Sequence, residues 1–308
     1  MLPTPDQTFK IGTRGSPLAL WQAHEVRRCL MAAFDLPEAA FEIVVIKVTG
    51  DMIQDRALKE IGGKGLFTRE IEEALLAAQI DIAVHSMKDM PVLQPEGLLL
   101  DCYLKRADVR DGFVSLSAQG IADLPQGATV GSSSLRRRAQ LALRRPDLQL
   151  VEFRGNVQTR MQKLRDGVAA ATFLAMAGVT RLGMADVARP IEVDDMLPAV
   201  AQGAIGVERR VDDARATAML AAIHDTPTGQ QLAAERAFLA HLDGSCETPI
   251  AGLAILNGDE LWLRGEILRP DGSQVIAGDI RGPIADGAAL GQALAEELLA
   301  QAGPNFFG

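Results

Sequence analysis

Four side chains that can take part in chemistry follow a short apolar run. The run Ile80–Val84 predicts a buried strand. Directly after it come His85, Ser86, Lys88 and Asp89. In open α/β sheets, ligands bind just beyond the carboxyl ends of the strands. These side chains are therefore candidates for a substrate site, although an ordinary polar turn closed by a proline would have the same composition.

Asp89 is better placed for chemistry than His85. A histidine at the end of a strand is more typical of a hydrogen-bonded structural residue, although His85 could also be a general base. Pro91 restrains the backbone just after Asp89. The neighbouring Lys88 favours the ionised form of the Asp89 carboxyl group. We therefore expect Asp89 to be the residue that handles protons or stabilises a cation.

Arginine is far more frequent than lysine in this chain. There are 24 arginines and 7 lysines, and ten of the arginines lie between Arg136 and Arg189. A guanidinium group binds carboxylate or phosphate through two parallel hydrogen bonds, which a lysine ammonium cannot do. The pattern indicates a small polyanionic ligand, and a general preference for arginine codons is the alternative.

Three loops between a strand and a helix are suited to bind anions. Ser16 can cap one helix, Ser133 or Ser134 a second, and Asn156 a third. The free N–H groups at a helix N-terminus attract anions. We expect these helix ends to face a space between domains, although helix capping alone would also explain the residues.

The cysteines are few and scattered. Cys246 lies in a loop of small and polar residues, whereas Cys29 lies among apolar neighbours on a predicted helix. A loop cysteine can be a nucleophile, an attachment point or neither. Together with Cys102 the cysteines are odd in number and far apart, which argues against a disulfide framework or a clustered metal site and favours a reducing cytoplasm.

Composition limits the function classes. A chain of 308 residues suggests two or three domains. The net charge of −9 and the aromatic content of 4% argue against a nucleic-acid partner. The first ten residues lack the pattern of a secretory signal, and the longest apolar run, 168–179, is too short to span a bilayer.

Apolar runs alternate with helical periods along most of the chain, which predicts α/β architecture with parallel strands. Strands are expected at 9–11, 41–48, 80–84, 98–103, 129–131, 149–153, 169–174 and 204–208, and helices at 17–34, 68–78, 135–143, 157–165 and 230–242. The tail instead predicts antiparallel strands at 250–256, 260–268 and 273–280, followed by a helix at 287–302.

Taken together, seven motifs resemble those of the porphobilinogen deaminase family, also called hydroxymethylbilane synthases. They span nearly the whole chain and occur in the family's order. They are Arg14–Ala23, Gly62–Phe67, His85–Asp89, Gly131–Arg137, Arg154–Asn156, Leu197–Ala204 and Gly244–Cys246.

The resemblance implies two α/β domains like those of type II periplasmic binding proteins and a small C-terminal α+β domain with an antiparallel sheet. The implied boundaries are 1–104 with 203–222, 109–198 and 227–308. It also implies a cytoplasmic, monomeric transferase of tetrapyrrole and haem biosynthesis. Such an enzyme joins four porphobilinogen molecules head to tail, with loss of ammonia, onto a dipyrromethane cofactor and releases hydroxymethylbilane by hydrolysis.

The resemblance also assigns roles to individual residues. Asp89 is the expected catalytic carboxylate, and Cys246 is the expected attachment point of the dipyrromethane through a thioether. Further cofactor contacts are expected from Lys88, Asp89, Ser134, Arg136, Arg137, Arg154 and Gly155. Substrate contacts are expected from Arg14, Ser16, Lys64, Phe67, Arg160, Arg181 and Gln202, and no metal is expected.

Some positions depart from the family pattern. Glu60 stands where many members have lysine, which puts one anion contact in doubt. Ser245 and Ala201 stand where glycine is frequent. Two other functions stay open from the residues alone: a cytoplasmic small-anion binding protein of solute-binding architecture, and a nucleic-acid-binding module built on 135–138.

Overall fold

The computed structural model describes residues 2–49, 68–244, 248–303 and 306–307. They form two compact units. The first contains the described residues up to 107 together with 204–229, and the second contains 108–203 and the described residues from 230 onward. The predicted three-domain division, with boundaries at 104, 109, 198, 203, 222 and 227, stays a prediction.

The first unit is built on a five-stranded sheet. Its strands, numbered along the chain, are β1 (Phe9–Arg14), β2 (Phe41–Ile46), β3 (Ile82–Ser86), β4 (Leu98–Tyr103) and β10 (Ile205–Arg210). They lie in the order β2-β1-β3-β10-β4. Strand β1 is parallel to β2 and β3, whereas β10 runs antiparallel to β3 and β4. The sheet is therefore mixed, and not fully parallel as the alternating pattern predicted.

The helices of the first unit cover the sheet with apolar faces. Helix α1 (Pro17–Phe34) begins at its cap Ser16, with a proline in its first turn. Ala23, Val26 and Leu30 share its buried face at the helical spacing and pack into the core that holds Phe9 of β1. Two more helices of this unit lie within its described residues, α2 (Arg69–Leu76) and α6 (Ala214–Ala221).

The second unit contains another five-stranded sheet of the same kind. Its strands are β5 (Asp111–Ser115), β6 (Thr129–Gly131), β7 (Gln149–Val151), β8 (Ala171–Ala175) and β9 (Arg189–Pro190). They lie in the order β7-β6-β8-β5-β9, and β5 is antiparallel to β8. Its helices are α3 (Leu135–Arg144), α4 (Val157–Arg165) and α5 (Met176–Arg181).

The C-terminal residues of the second unit form an antiparallel sheet. Its strands β11 (Ile250–Asn257), β12 (Glu260–Leu268) and β13 (Val275–Pro283) pair in sequence order. Two further helices are α7 (Thr226–His241) and α8 (Gly287–Ala302). Leu294, Ala295 and Leu298 form a fully buried stripe on α8. The two α/β sheets and this antiparallel sheet confirm the predicted fold class.

The differences from the predicted elements have local causes. Strand β3 extends to Ser86, two residues beyond the apolar run, because it pairs with β10 along its whole length. Strand β5 and helices α5 and α6 were not predicted. Helix α5 continues the apolar run that also forms β8, so composition does not separate the two elements. Across the described part of the chain, no helix combines the length and apolarity that crossing a membrane requires.

Candidate active site

A cleft in the first unit collects several of the predicted site residues. It lies where β1 and β3 end and α1 begins. Its polar lining residues are Arg14, Ser16, Gln22, Thr68, His85, Ser86 and Asp89. Because β1 and β3 are parallel, their carboxyl ends meet at one edge of the sheet. The topology thus explains why Arg14 and Asp89, distant in sequence, line the same cleft.

Asp89 is presented by a single 3₁₀ turn, Met87–Asp89, that directly follows β3. The Met87 N–H donates to the carbonyl oxygen of Ala204 at 3.1 Å, and the Met90 N–H donates back to Met87. Met87 and Met90 are buried, whereas Asp89 is exposed and Lys88 is half-buried. The two methionines therefore anchor a turn that leaves the Asp89 carboxylate accessible in the cleft.

Ser16 and Ser86 are held by neighbouring groups in this cleft. The Ser16 hydroxyl oxygen caps α1 by accepting from the Ala19 N–H at 3.3 Å. The Gln22 amide Nε2 donates to the Ser86 hydroxyl oxygen at 2.8 Å. Gln22 is almost fully buried. Sequence reasoning missed Gln22, because an amide on the inner face of a helix carries no signal of what it faces.

The His85 side chain is buried and paired with an acidic residue. Its Nε2 lies 3.0 Å from Oε2 of Glu208, and the two side chains are 4% and 0% exposed. The pairing follows from the sheet, because β3 and β10 are antiparallel neighbours. This geometry supports the interpretation of His85 as a hydrogen-bonded structural residue.

In the second unit, Arg136 and Arg137 converge on one buried carboxylate. Both come from the first turn of α3, where the hydroxyl of Ser134 is the helix cap. Arg136 Nη1 lies 2.7 Å from Oδ2 of Asp111, and Arg137 Nη2 donates to Oδ1 at 2.6 Å. Burial alone would raise the pKa of Asp111, but the charges of the two arginines outweigh it and hold that pKa well below its ordinary range.

Arg160 adds a third guanidinium group to this cluster. It lies one turn inside α4 and donates through Nε to the carbonyl oxygen of Gly155 at 3.0 Å and through Nη1 to that of Phe173 at 3.2 Å. Burial, and after it the charge of Arg137, lower the pKa of Arg160 to about 10. The three guanidinium groups therefore outnumber the carboxylates near them, Asp111 and Glu266, of which Glu266 also acts on Arg136.

The N-terminus of α4 has the predicted capping arrangement. The Asn156 side chain accepts from the Thr159 N–H at 2.9 Å. Gly155 has φ +119°, and a Cβ at this position would lie 2.7 Å from the Thr159 side chain. Only glycine fits this turn without strain. The carbonyl oxygen of Arg154 accepts from Lys163 Nζ at 3.0 Å.

Arg181 contacts the segment that returns toward β10, and Gln202 belongs to that segment. Arg181 Nη2 donates to the carbonyl oxygen of Gly203 at 2.7 Å. Gln202 Nε2 donates to the carbonyl oxygen of Val109 at 2.8 Å and to Oδ1 of Asp111 at 3.0 Å. The geometry therefore links Gln202 to the carboxylate that Arg136 and Arg137 share.

Several predicted site residues lie outside the described residues. These are Cys246, Lys64 and Phe67, and the departing positions Glu60 and Ser245 lie there as well.

Asp111 is the main site residue that sequence reasoning missed. It lies 26 residues before Arg137 in the chain, in a strand that was not predicted. An acidic residue directly after a basic hinge was the available signal, but nothing local indicated its partners.

Comparisons with known proteins agree on one family. The model of "Porphobilinogen deaminase, dipyromethane cofactor binding domain" matches residues 9–218, and that of "Porphobilinogen deaminase, C-terminal domain" matches residues 230–300. A curated relative, the porphobilinogen deaminase of Paracoccus denitrificans, is 70% identical over 307 residues, which cover 99% of this chain and 98% of the relative.

Solved structures with a related shape are much more distant. YhfZ from Shigella flexneri is 18% identical, with coverage of 76% of this chain and 95% of that one and a TM-score of 0.37. The periplasmic aliphatic sulphonate binding protein SsuA from Escherichia coli is 15% identical, with coverage of 75% and 67% and a TM-score of 0.40. At these scores, neither likeness bears on the function.

Proposed function

Because the chain belongs to the porphobilinogen deaminase family, we propose that Asp89 is the catalytic carboxylate of the family's reaction. The enzyme is a transferase, a hydroxymethylbilane synthase. It joins four porphobilinogen molecules head to tail, with loss of ammonia, onto a covalently bound dipyrromethane and releases hydroxymethylbilane by hydrolysis. The matched family model is that of the dipyrromethane-binding domain, which supports this function over a small-anion binding protein or a nucleic-acid-binding module.

The position of Asp89 suits a carboxylate that faces a developing positive charge. When ammonia leaves porphobilinogen, the remaining methylene-pyrrole becomes cationic, and a nearby carboxylate stabilises it. The same carboxylate can accept or return a proton at the pyrrole nitrogen or the α-carbon. Asp89 is exposed in the cleft on a turn that buried methionines anchor. Arg14 and Ser16 line the same cleft and would bind the substrate's acetate and propionate groups.

The guanidinium groups around Asp111 outnumber the carboxylates there, which supports the proposal that these arginines bind the carboxylates of a ligand. Arg136 and Arg137 pair with Asp111, Arg160 shares the Phe173 carbonyl oxygen with Arg137, and Nε of Arg136 is buried without a hydrogen-bond partner among the described residues. An unpaired buried donor is costly. A ligand that brings its own carboxylates would satisfy both the charge and the donor.

The dipyrromethane fits this donor set. When bound, it supplies the free pyrrole end to which new units are added, and its acetate and propionate groups are anions. Arg136, Arg137, Arg154 and Lys88 would pair with those anions, with Ser134 and Gly155 as further contacts. Asp89 would accept hydrogen bonds from the pyrrole N–H groups, and Cys246 would form the thioether. Arg160, Arg181, Gln202, Lys64 and Phe67 would hold the incoming substrate. Each charged hydrogen bond contributes about 1.5–3 kcal/mol, so several are needed for each ring.

The setting of the enzyme is also part of the proposal. We propose a monomer in the cytoplasm without a nucleic-acid or membrane partner. The net charge of −9 and the scarcity of aromatic residues support the absence of a polyanionic macromolecule as partner. The odd, scattered cysteines support a reducing compartment.

Intact-mass spectrometry tests the proposed function directly. The purified chain should show a mass excess equal to one two-pyrrole unit, and Cys246→Ser should lack it. Cys29→Ser is the matched control, because Cys29 lies on α1, and it should keep the mass excess. An active protein without added mass, or a mass excess that persists in Cys246→Ser, would contradict the proposal.

A further inference from the structure

Asp111 is a fully enclosed charged group of the second unit. Its side chain is 0% exposed at the first position of β5. It pairs with Arg136 and Arg137 at 2.7 Å and 2.6 Å, and Gln202 Nε2 donates to it at 3.0 Å. Three side chains from α3 and from the returning segment thus meet on one carboxylate.

The two guanidinium groups that pair with Asp111 also have other hydrogen-bond partners. Arg137 donates to Asp111 through Nε and Nη2 and to the carbonyl oxygen of Phe173 through Nη1, at 3.1 Å. A guanidinium group has five N–H donors, so two donors of Arg137 remain beyond these three bonds. Arg136 Nη1 also donates to Gln140 Oε1 and to the carbonyl oxygen of Leu197, both at 2.9 Å.

The carboxylates near this cluster do not neutralise it. Arg136, Arg137 and Arg160 bring three positive charges, whereas Asp111 and the half-buried Glu266, whose charge acts on Arg136, bring two negative charges. Asp111 therefore keeps the cations together without cancelling the field that an anionic ligand would meet. A surface ion pair has no such effect, because solvent screens it.

We propose that Asp111 is a positioning residue of the anion site: it holds Arg136 and Arg137 in one fixed arrangement before the pyrrole carboxylates bind. The inference rests on the proposed function of these two arginines. A fixed arrangement reduces the cost of ordering two long side chains when the ligand binds. It also favours ligands whose carboxylates match the remaining donors in spacing.

The test compares Asp111→Asn and Asp111→Glu with the wild-type holoenzyme. Asparagine removes the charge, and glutamate keeps it but displaces it by one methylene. We expect Asp111→Asn to raise the KM for porphobilinogen at least tenfold and to increase the fraction of chains without the two-pyrrole mass. Asp111→Glu should unfold near the wild-type temperature, yet its KM should still rise at least threefold.

Asp147→Asn is the matched control for the loss of an aspartate–arginine pair. Asp147 accepts from Arg145 Nε and Nη2 at 2.7 Å and 2.8 Å, also in the second unit. Arg145 also donates to the carbonyl oxygens of Ile121 and Leu124, and Asp147 also accepts from the Gly127 N–H, so within the described residues this pair is bonded to partners other than Arg136, Arg137 and Asp111. This variant should keep the wild-type KM and cofactor content.

The outcomes separate this inference from the proposed function. A wild-type chain without the mass excess and without product would remove the proposed function itself. If the wild type has both, a wild-type or lower KM in folded Asp111→Asn would overturn the positioning role. If Asp111→Asn does not fold, Asp111→Glu decides: wild-type KM and cofactor content there would mean that Asp111 is only structural.

Discussion

Arg137 and Arg160 donate to the same acceptor, the backbone carbonyl oxygen of Phe173, at 3.1 Å and 3.2 Å. Two like charges on one carbonyl repel each other, and burial adds to the cost of the charge on Arg160. A core of this kind reduces the stability of the chain alone. Binding of an anionic ligand would explain why these like charges lie together, because functional sites commonly retain groups that are unfavourable for stability.

The lowered pKa of Arg160, about 10, predicts a pH-dependent stability. The folded chain binds this proton less tightly than the unfolded chain, so the cost of the charge is present below pH 10 and is relieved as the pH rises through 10. We therefore expect the free energy of unfolding of the parent chain to rise relative to Arg160→Gln between pH 8 and 10.5. The slope should approach about 1.4 kcal/mol per pH unit above pH 10. Urea unfolding in a Cys246→Ser background, which lacks the thioether, measures it.

Arg138→Gln is the control for this experiment. Arg138 belongs to the same helix as Arg137, but its guanidinium group pairs with Glu152 at 2.6 Å near the surface. The difference between Arg138→Gln and the parent chain should stay constant over this pH range. A constant difference for Arg160→Gln as well would show that its charge is not penalised in the folded state.

Asp89→Asn should separate catalysis from stability. Because Asp89 is exposed, the free energy of unfolding should change by less than about 0.5 kcal/mol. The two-pyrrole mass should be retained, whereas turnover should fall by about 10²–10⁴-fold through loss of the carboxylate. Steady-state kinetics, intact mass and urea unfolding on one preparation measure all three quantities.

His85→Gln should mainly reduce stability and have little effect on turnover, the reverse of the result expected for Asp89→Asn. His85 and Glu208 are buried together at 3.0 Å, so the substitution should lower the free energy of unfolding by roughly 1–3 kcal/mol. Turnover below the unfolding temperature should fall less than about tenfold, far less than the loss expected from removing an acid/base group. Near-normal turnover in Asp89→Asn, or an equal loss in both variants, would remove Asp89 from its proposed role.

Sequence patterns predicted the elements whose ends have local causes. Helix α1 begins at Ser16 and Pro17, and the turns at Gly258 and Gly272 separate the antiparallel strands, with φ of +60° and +74°. Strand β5 was missed because its pairing with β8 joins residues far apart in sequence, such as Phe113 and Phe173. Local periodicity carries no information on such contacts.

In the candidate site as well, local sequence signals predicted some residues, whereas residues defined by distant contacts were missed. The residue types of Arg136, Arg137 and Arg160 indicated anion binding, since that chemistry belongs to the side chain itself. Asp111 and Gln22 could not be predicted, because their roles depend on which distant side chains the fold brings to them. Burial and pairing are properties of the folded chain.

Ala201 has a backbone conformation that favours glycine. Its φ is +61°, in the left-handed region, and its N–H donates to Oε2 of the buried Glu235 at 2.7 Å. A side chain in this region costs about 1–2 kcal/mol. In Ala201→Gly, the relief of that strain should offset the lost methyl contact and the greater entropy of the unfolded chain. The free energy of unfolding should stay within about 1 kcal/mol of wild type.

Ala204→Gly is the matched control, because Ala204 is similarly buried and does not have a positive φ. Without strain to relieve, it should be less stable than Ala201→Gly by roughly 1 kcal/mol in urea unfolding. Equal losses in the two variants would mean that the left-handed conformation of Ala201 is not strained.

Removing the charge of the buried Glu72 should raise the stability of the chain. Burial raises the pKa of Glu72, and the nearby Glu208 adds to the effect. The folded chain therefore holds this proton more tightly than the unfolded chain, whose pKa is near 4.5. This favours folding below pH 4.5 and is lost as the pH rises through the folded-state pKa. At pH 7.5, Glu72→Gln should raise the free energy of unfolding by roughly 0.5–2 kcal/mol.

The advantage of Glu72→Gln should disappear at pH 4, where the wild-type carboxyl group is already protonated. Glu73→Gln is the control, because Glu73 is the exposed neighbour on the same helix, and it should stay within about 0.5 kcal/mol of wild type at both pH values. Urea unfolding at pH 4 and pH 7.5 measures the four differences. If Glu72→Gln is less stable than wild type at pH 7.5, the ionised Glu72 is a net stabilising partner in the buried group with His85 and Glu208.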